Sequence, residues 1–263
     1  MFEGIILGII QGIVEWLPVS SEGVLVLVQS LFLGEHELED MIGLALVLHL
    51  GTALAATVYF RRDIIHLLKS LFGWKEASQE QKNIILFLSI TSVISGLLGF
   101  SILELVLIAN NYLSLTGQLL LIVVGVLLLG TGAMQLVAKQ TGGREAKEIT
   151  LIDIILLGVV QALAALPGIS RSGFTVAALL LRNYSNEFAL KLSFLMSIPV
   201  VLGGSIAVGI QNSLFNTTVL LGLLFSFIFG IATIHILLQL AKRVRFGYFV
   251  FAFGILTILA AFI

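Results

Sequence analysis

The 263-residue chain contains no cysteine and only three prolines, and charged side chains occupy 11% of its positions. Without cysteine there is no disulfide framework and no thiolate chemistry. So little charge excludes an ordinary soluble domain, in which about a quarter of residues are charged. The 14 Lys and Arg are matched by 15 Asp and Glu, giving a formal net charge of −1, and nucleic acid is not an expected partner. What the chain has is hydrophobicity: 59% of its residues are apolar and its mean hydropathy is +1.13. That describes a polytopic membrane protein. No basic stretch precedes the first apolar run, which opens Met1-Phe2-Glu3, so no cleavable signal peptide is expected.

Six runs have the roughly 20 apolar residues needed to cross a hydrocarbon core: 41–60, 84–107, 114–138, 188–210, 217–240 and 247–263. Four other apolar pieces, 4–17, 23–34, 151–166 and 173–181, are too short. Each pair is interrupted by a polar tip, Pro18-Val19-Ser20-Ser21-Glu22 in the first and Pro167-Gly168-Ile169-Ser170-Arg171-Ser172 in the second. The alternatives are a kinked single span and a re-entrant hairpin that enters and leaves on one side.

Charge placement decides for the second pair. With a hairpin there, the loops holding Arg61, Arg62, Lys69, Lys75 and Lys82, then Lys139, Arg144 and Lys147, then Arg182 and Lys191, then Lys242, Arg243 and Arg245 share one side. Loops 35–40, 108–113 and 211–216, which carry no Lys or Arg, share the other. The basic side is expected to be cytoplasmic, leaving both termini outside the plasma membrane. Arg171 is the one basic residue outside this pattern. For the first pair charge is silent, and the hairpin reading rests on its likeness to the second.

That likeness is a repeat. GIIQGIVEWLPVSSEG at 8–23 and GVVQALAALPGISRSG at 158–173 align at an offset of 150, superposing Gly8 on Gly158, Gln11 on Gln161, Ser20 on Ser170 and Gly23 on Gly173. The expected fold is therefore all-α and integral to the membrane, with six transmembrane helices and two re-entrant helical hairpins in two inverted-topology repeats within a single domain. Residues 1–138 form the first repeat, with its hairpin at 4–34, and 150–263 the second, with its hairpin at 151–181. A new helix is expected to start at Gly23 and at Gly173, so two helix N-termini face one cavity, which suits an anion. Arg171 adds a permanent charge with a fork fitted to phosphate oxygens, unless it only pins the tips together by pairing with Glu15 or Glu22. Glu15 ends an apolar helix, the wrong end for a carboxylate, so a cation belongs near it.

The strings QGIVEWLPVSSEG and QALAALPGISRSG, with LHLGTALAATVYFRRD at 48–63 and LSFLMSIP at 192–199, resemble the undecaprenyl-diphosphate phosphatase family. The resemblance implies a membrane enzyme that converts a long-chain polyprenyl diphosphate to the monophosphate, recycling the lipid carrier for cell-envelope glycans. Its (E/Q)xxxE motif falls on Gln11 and Glu15, and its PGxSRSG motif on Pro167, Gly168, Ser170, Arg171, Ser172 and Gly173. Where the family usually reads SS(T/S)GH, this chain has Ser20-Ser21-Glu22-Gly23-Val24, without the histidine.

On this reading Glu15, Ser21 and Arg171 are catalytic. Gln11, Ser20, Gly23, Gln161, Gly168, Ser170, Ser172 and Gly173 bind substrate. Ser21 is the candidate nucleophile, with direct attack by water the alternative. Glu15 and Glu22 are the candidate ligands of a divalent cation, most plausibly Mg2+, and Glu15 alternatively acts as base. His49, in the matching HLGT string, is read as a packing or hydrogen-bonding residue, with replacement of the missing histidine the alternative, and His235 as a helix contact. The basic stretch 61–75, with His66 and Trp74, reads as an interfacial amphipathic segment against lipid headgroups. Gly203, Gly204, Gly209 and Gly230 allow close helix packing within the chain or in a homodimer. The same anion cavity would serve a polyprenyl-phosphate flippase or transporter, or a catalytically inactive lipid-binding homologue.

Overall fold

The computed structural model describes residues 2–17, 19–29, 32, 38–113, 117–138, 142–166, 168–211, 216–243 and 246–262. Pro18, Pro167, Glu35, Glu37, Lys139 and Arg245 lie outside them. The described residues contain no strand and form eleven α-helices: α1 Phe2–Val14, α2 Ser21–Val28, α3 Leu38–Tyr59, α4 Arg61–Phe72, α5 Gln79–Leu113, α6 Gly117–Val137, α7 Leu151–Ala162, α8 Arg171–Leu181, α9 Asn186–Gln211, α10 Thr217–Arg243 and α11 Phe246–Ala260.

Within the described residues, each of the six long apolar runs falls mainly on one helix, namely α3, α5, α6, α9, α10 and α11. In three of them, residues 79–106, 186–206 and 217–240 are long and apolar enough to cross a membrane. Helix α3 meets α4 at a 77° bend, where Arg61, Arg62 and Asp63 end the apolar run. Helix α4 exposes Arg61, Arg62 and Lys69 together with Ile65, Leu68 and Phe72, the mixture expected of a segment lying along an interface. The short pieces stay short: α1 has 13 residues and α7 has 12, about 20 and 18 Å against a hydrocarbon core of about 30 Å.

The bundle buries polar groups within its apolar core and exposes large apolar side chains. Leu86, Val93, Leu97, Phe100 and Leu105 of α5 are exposed, whereas Thr91, Ser95, Gln161, Thr175 and Ser193 are buried. Such a surface is stable against lipid tails, and with the apolar helices it makes the chain an all-α membrane protein.

The packing crosses between halves. Helix α1 lies along α10 and α7 along α5; α10 also packs on α3, and α5 on α9; α3 faces α9 and α6 faces α11. Glycine makes the α1–α10 contact possible, because a Cβ on Gly8 would sit 2.2 Å from the carbonyl oxygen of Gly222. Gly230 is equally engaged, accepting a 3.0 Å hydrogen bond from Trp16 Nε1. Around Gly203 and Gly204 there is open space, so they do not serve packing within the chain.

The segment of α7 and α8 is tied down where α7 begins. Thr150 caps α7, and buried Asp153 accepts hydrogen bonds from Thr150 Oγ1 at 2.7 Å, Tyr184 at 2.8 Å, Arg144 at 2.9 Å and Arg182 at 2.6 Å. Burial alone would raise the Asp153 carboxyl, but the hydrogen bonds from Thr150, Arg182 and Arg144 outweigh it and hold it below the usual carboxylate range. Burial and the same carboxylate push the Tyr184 phenol up.

Candidate active site

The two tips are built alike. Ser20 Oγ accepts the Gly23 amide at 3.0 Å, and Ser170 Oγ accepts the Gly173 amide at 3.1 Å. Each hydroxyl satisfies an amide that the first helical turn leaves without a partner. The helices consequently start at Ser21 and Arg171, and Gly23 and Gly173 occupy the third helical position. This corrects the expectation that the glycines begin them: the capping serine sets the boundary, and Gly23 leaves room for the cap, since a Cβ there would lie 3.2 Å from Ser20 Oγ.

The tips touch. Arg171 Nη2 donates to Glu15 Oε1 in a buried ion pair, and Ser172 Oγ donates to the Leu17 carbonyl at 3.2 Å. The other Glu15 oxygen, Oε2, accepts from Ser21 Oγ at 2.7 Å and from Gln11 Nε2 at 3.0 Å. His49 Nε2, reaching in from α3, is 3.1 Å from that same oxygen and 3.1 Å from Ser21 Oγ. Of the packing or hydrogen-bonding role expected for His49, the hydrogen-bonding one is what the cluster shows. The HLGT string marked the residue, but only the approach of α3 to the first tip gives it this place.

Beside the cluster lies a partly open cleft with about 270 Å³ of empty space, open solvent included. Glu15, Ser20, Ser21, Glu22, His49, Arg171 and Ser172 supply its polar wall, and Val19, Ala164 and Ile169 its apolar one. Two buried atoms beside it have no hydrogen-bond partner among the described residues, Arg171 Nη1 and Gln11 Oε1. Glu22 likewise makes no side-chain hydrogen bond or ion pair there. An orphaned guanidinium nitrogen is costly unless an anion meets it.

Several expected binding residues stand elsewhere. Gln161 superposes on Gln11 in the repeat, yet its Nε2 donates to Ser95 Oγ at 2.9 Å and to the Met196 carbonyl at 3.3 Å. The carboxylate four residues after Gln11 is Ala165 in the second copy, so Gln161 finds its partners on neighbouring helices. Gly168, at φ 102°, turns the second tip where a Cβ would meet the Val124 carbonyl at 2.7 Å. Gly168, Ser170, Gly23 and Gly173 shape the tips and do not line the cavity. His235 bonds Tyr59 at 2.9 Å and Gln239 at 2.8 Å, a helix contact as expected.

The cluster offers a hydroxyl held between a carboxylate and an imidazole, with a half-free guanidinium opposite. The amides of the first turn of α2 add a positive helix end. This arrangement can hold a phosphoryl group and activate an oxygen beside it.

The family described as bacitracin resistance protein BacA matches residues 4–259 of this chain. An undecaprenyl-diphosphatase of Methanococcoides burtonii is 40% identical over 265 residues, spanning 99% of this chain and 98% of the relative. An undecaprenyl-diphosphatase of Haloarcula marismortui is 36% identical over 257 residues, spanning 95% and 93%. One from Alkaliphilus metalliredigens is 32% identical over 268 residues, spanning 94% and 93%.

Proposed function

The chain belongs to the family described as bacitracin resistance protein BacA, and on that footing we infer that it is an integral membrane phosphatase acting on a polyprenyl diphosphate of the undecaprenyl type. The products are the polyprenyl monophosphate and inorganic phosphate, and the reaction recycles the lipid carrier for cell-envelope glycan synthesis. The observation that carries this reading is the meeting of Ser21, Glu15 and Arg171 at the cavity, with Arg171 Nη1 left without a partner.

Arg171 Nη1 and the amides at the start of α2 bind the terminal phosphoryl oxygens, and Ser20 and Ser172 add hydroxyls. Ser21 Oγ attacks the terminal phosphorus and the bridging oxygen leaves with the prenyl monophosphate. Water then hydrolyses the phosphoserine. Glu15, ion-paired to Arg171 and hydrogen-bonded to Gln11, holds Ser21 in line. Phosphate release from undecaprenyl diphosphate by the purified protein, at least 100-fold above an Arg171→Ala control, is the expected result. A parent protein that releases no more phosphate than this control would overturn the assignment.

A divalent cation, most plausibly Mg2+, fits this site only in part. Both Glu15 oxygens are committed to Arg171, Gln11, Ser21 and His49, and among the described residues no group of three His, Asp or Glu is placed to hold a metal ion. Glu22 is the open carboxylate. Mg2+ is commonly held by one or two carboxylates plus substrate phosphates, so Glu22 would hold a cation that enters with the diphosphate. When bound, the cation neutralises charge on the phosphate oxygens.

Six spans and two re-entrant hairpins in inverted repeats, 1–138 and 150–263, place this site between tips that enter from opposite faces. Supporting this are the exchanged pairings α1 with α10 and α7 with α5, and the matching Ser20 and Ser170 caps 150 residues apart. The charge pattern supports a plasma-membrane orientation with both termini outside.

A further inference from the structure

We propose that α4 is a binding surface for anionic phospholipid, holding the acidic headgroups of the surrounding leaflet against Arg62 and Lys69. The inference uses none of the chemistry assigned to Ser21 and concerns a different part of the molecule.

Helix α4 reverses the arrangement of an amphipathic helix on a soluble protein. Its side toward the bundle is polar: His66 Nε2 accepts from Gln81 Nε2 of α5 at 2.5 Å, Asp63 pairs with Lys191 of α9 at 2.5 Å, and Ser70 is buried. Its outer side is apolar. Ile65, Leu68 and Phe72, spaced i, i+3 and i+7, share one face and are 51%, 48% and 88% exposed. The 77° bend turns this helix away from the apolar run of α3. An outward apolar stripe edged with charge, on a helix so turned, fits the boundary between acyl chains and headgroups.

The cations select the lipid. Arg62 and Lys69, seven residues apart, border the stripe along one edge, and neither forms an ion pair among the described residues. The one carboxylate of α4, Asp63, is taken up by Lys191. The aliphatic stems of Arg62 and Lys69 can lie along the stripe while their charged ends reach phosphate oxygens. Just past the helix, Trp74 is 38% exposed with Lys82 Nζ 5.8 Å from its ring centroid, an indole and a cation suited to the headgroup level. A second copy of this chain pairing through the same face would set these cations against one another, so the charges favour a lipid as the occupant.

The test uses the native fluorescence of the full chain in proteoliposomes. The chain has two tryptophans, and Trp16 is buried at 2%, so Trp74 carries the lipid-accessible signal, with Trp74→Phe as the background. The probes are phosphatidylglycerol and phosphatidylcholine, each brominated near the headgroup end of its acyl chains and titrated separately into unlabelled phosphatidylcholine. Quenching of Trp74 is expected to favour the anionic lipid by about fivefold or more in relative association constant, and added salt should reduce that preference. Arg62→Gln with Lys69→Gln should lower it by about threefold or more, whereas Arg62→Lys with Lys69→Arg, which keeps both charges, should retain it. Equal quenching of the parent by the two lipids overturns the proposal, as does a preference unchanged in the glutamine variant or lost in the charge-keeping one. A Trp74 that neither lipid quenches overturns it too, and is the result expected if a second copy covers this face.

Discussion

Arg171 Nη2 donates to Glu15 Oε1 across a sequence separation of 156 residues, so one ion pair joins the two tips and forms a wall of the cavity. Glu15 is buried at 6% exposure and Arg171 is partly buried at 15%. Each neutralises the other until an anion arrives.

Removing one partner should therefore be costlier than weakening the pair. Arg171→Ala is expected to destabilise the protein by about 3–5 kcal/mol and to abolish turnover, whereas Arg171→Lys, which keeps the charge but not the fork, should lose less stability. Thermal unfolding in detergent, read beside phosphate release, checks both. Equal stability of the alanine variant and the parent would mean that the pair holds nothing together.

The metal assignment makes Glu22 and Glu15 separable. Glu22→Gln is expected to raise the Mg2+ concentration needed for half-maximal activity at least tenfold while leaving the unfolding temperature unchanged. Excess EDTA should suppress turnover in the parent. Turnover that persists under EDTA would remove the cation and the role of Glu22 together.

Asp153 gives the protein an acid limit of stability. Its carboxyl is held below the unfolded value of about 3.9, so its contribution is complete above that pH and is lost as pH falls through the lower native value. Asp153→Asn should cost about 2 kcal/mol at pH 7, and the gap to the parent should shrink below about pH 4. Denaturation midpoints measured across that range decide it; a gap that stays constant with pH would rule out the linkage.

Backbone contact between α1 and α10 predicts a contrast among glycines. Gly8→Ala drives a Cβ toward the Gly222 carbonyl and should cost about 1–3 kcal/mol, while Gly204→Ala, with open space around it, should stay within about 0.5 kcal/mol of the parent. Thermal scans of the two variants suffice.

The absence of native cysteine makes the topology directly measurable. A single cysteine at exposed Ser78 is expected to react with an impermeant maleimide only from the cytoplasmic side, and one at Phe2 only from outside. Labelling of both from one side of intact cells would reject the orientation.

Much of this was legible in the sequence because the tips carry signals that local chemistry enforces. Ser-rich, charged interruptions in apolar runs too short to span can only be turns, and the offset of 150 made them a pair. The helices start two residues before Gly23 and Gly173 because the Ser20 and Ser170 caps set the boundary at the very next residue. Gln161 misled for a different reason: its local sequence copies that of Gln11, but the carboxylate that gives Gln11 its role has no counterpart. The partners of His49 could not be assigned from α3 alone, where it is one polar residue in an apolar run. Its place in the cluster depends on a contact with Ser21, 28 residues away, that only tertiary packing creates.

The crossed pairing of α1 with α10 and of α7 with α5 also bears on how such a molecule is made. Helix α1 rests on a helix more than 200 residues further along the chain, and α7 on one that precedes it by a whole helix. A half expressed alone would leave Gly4, Gly8 and Gly12 without the backbone they were shaped to meet.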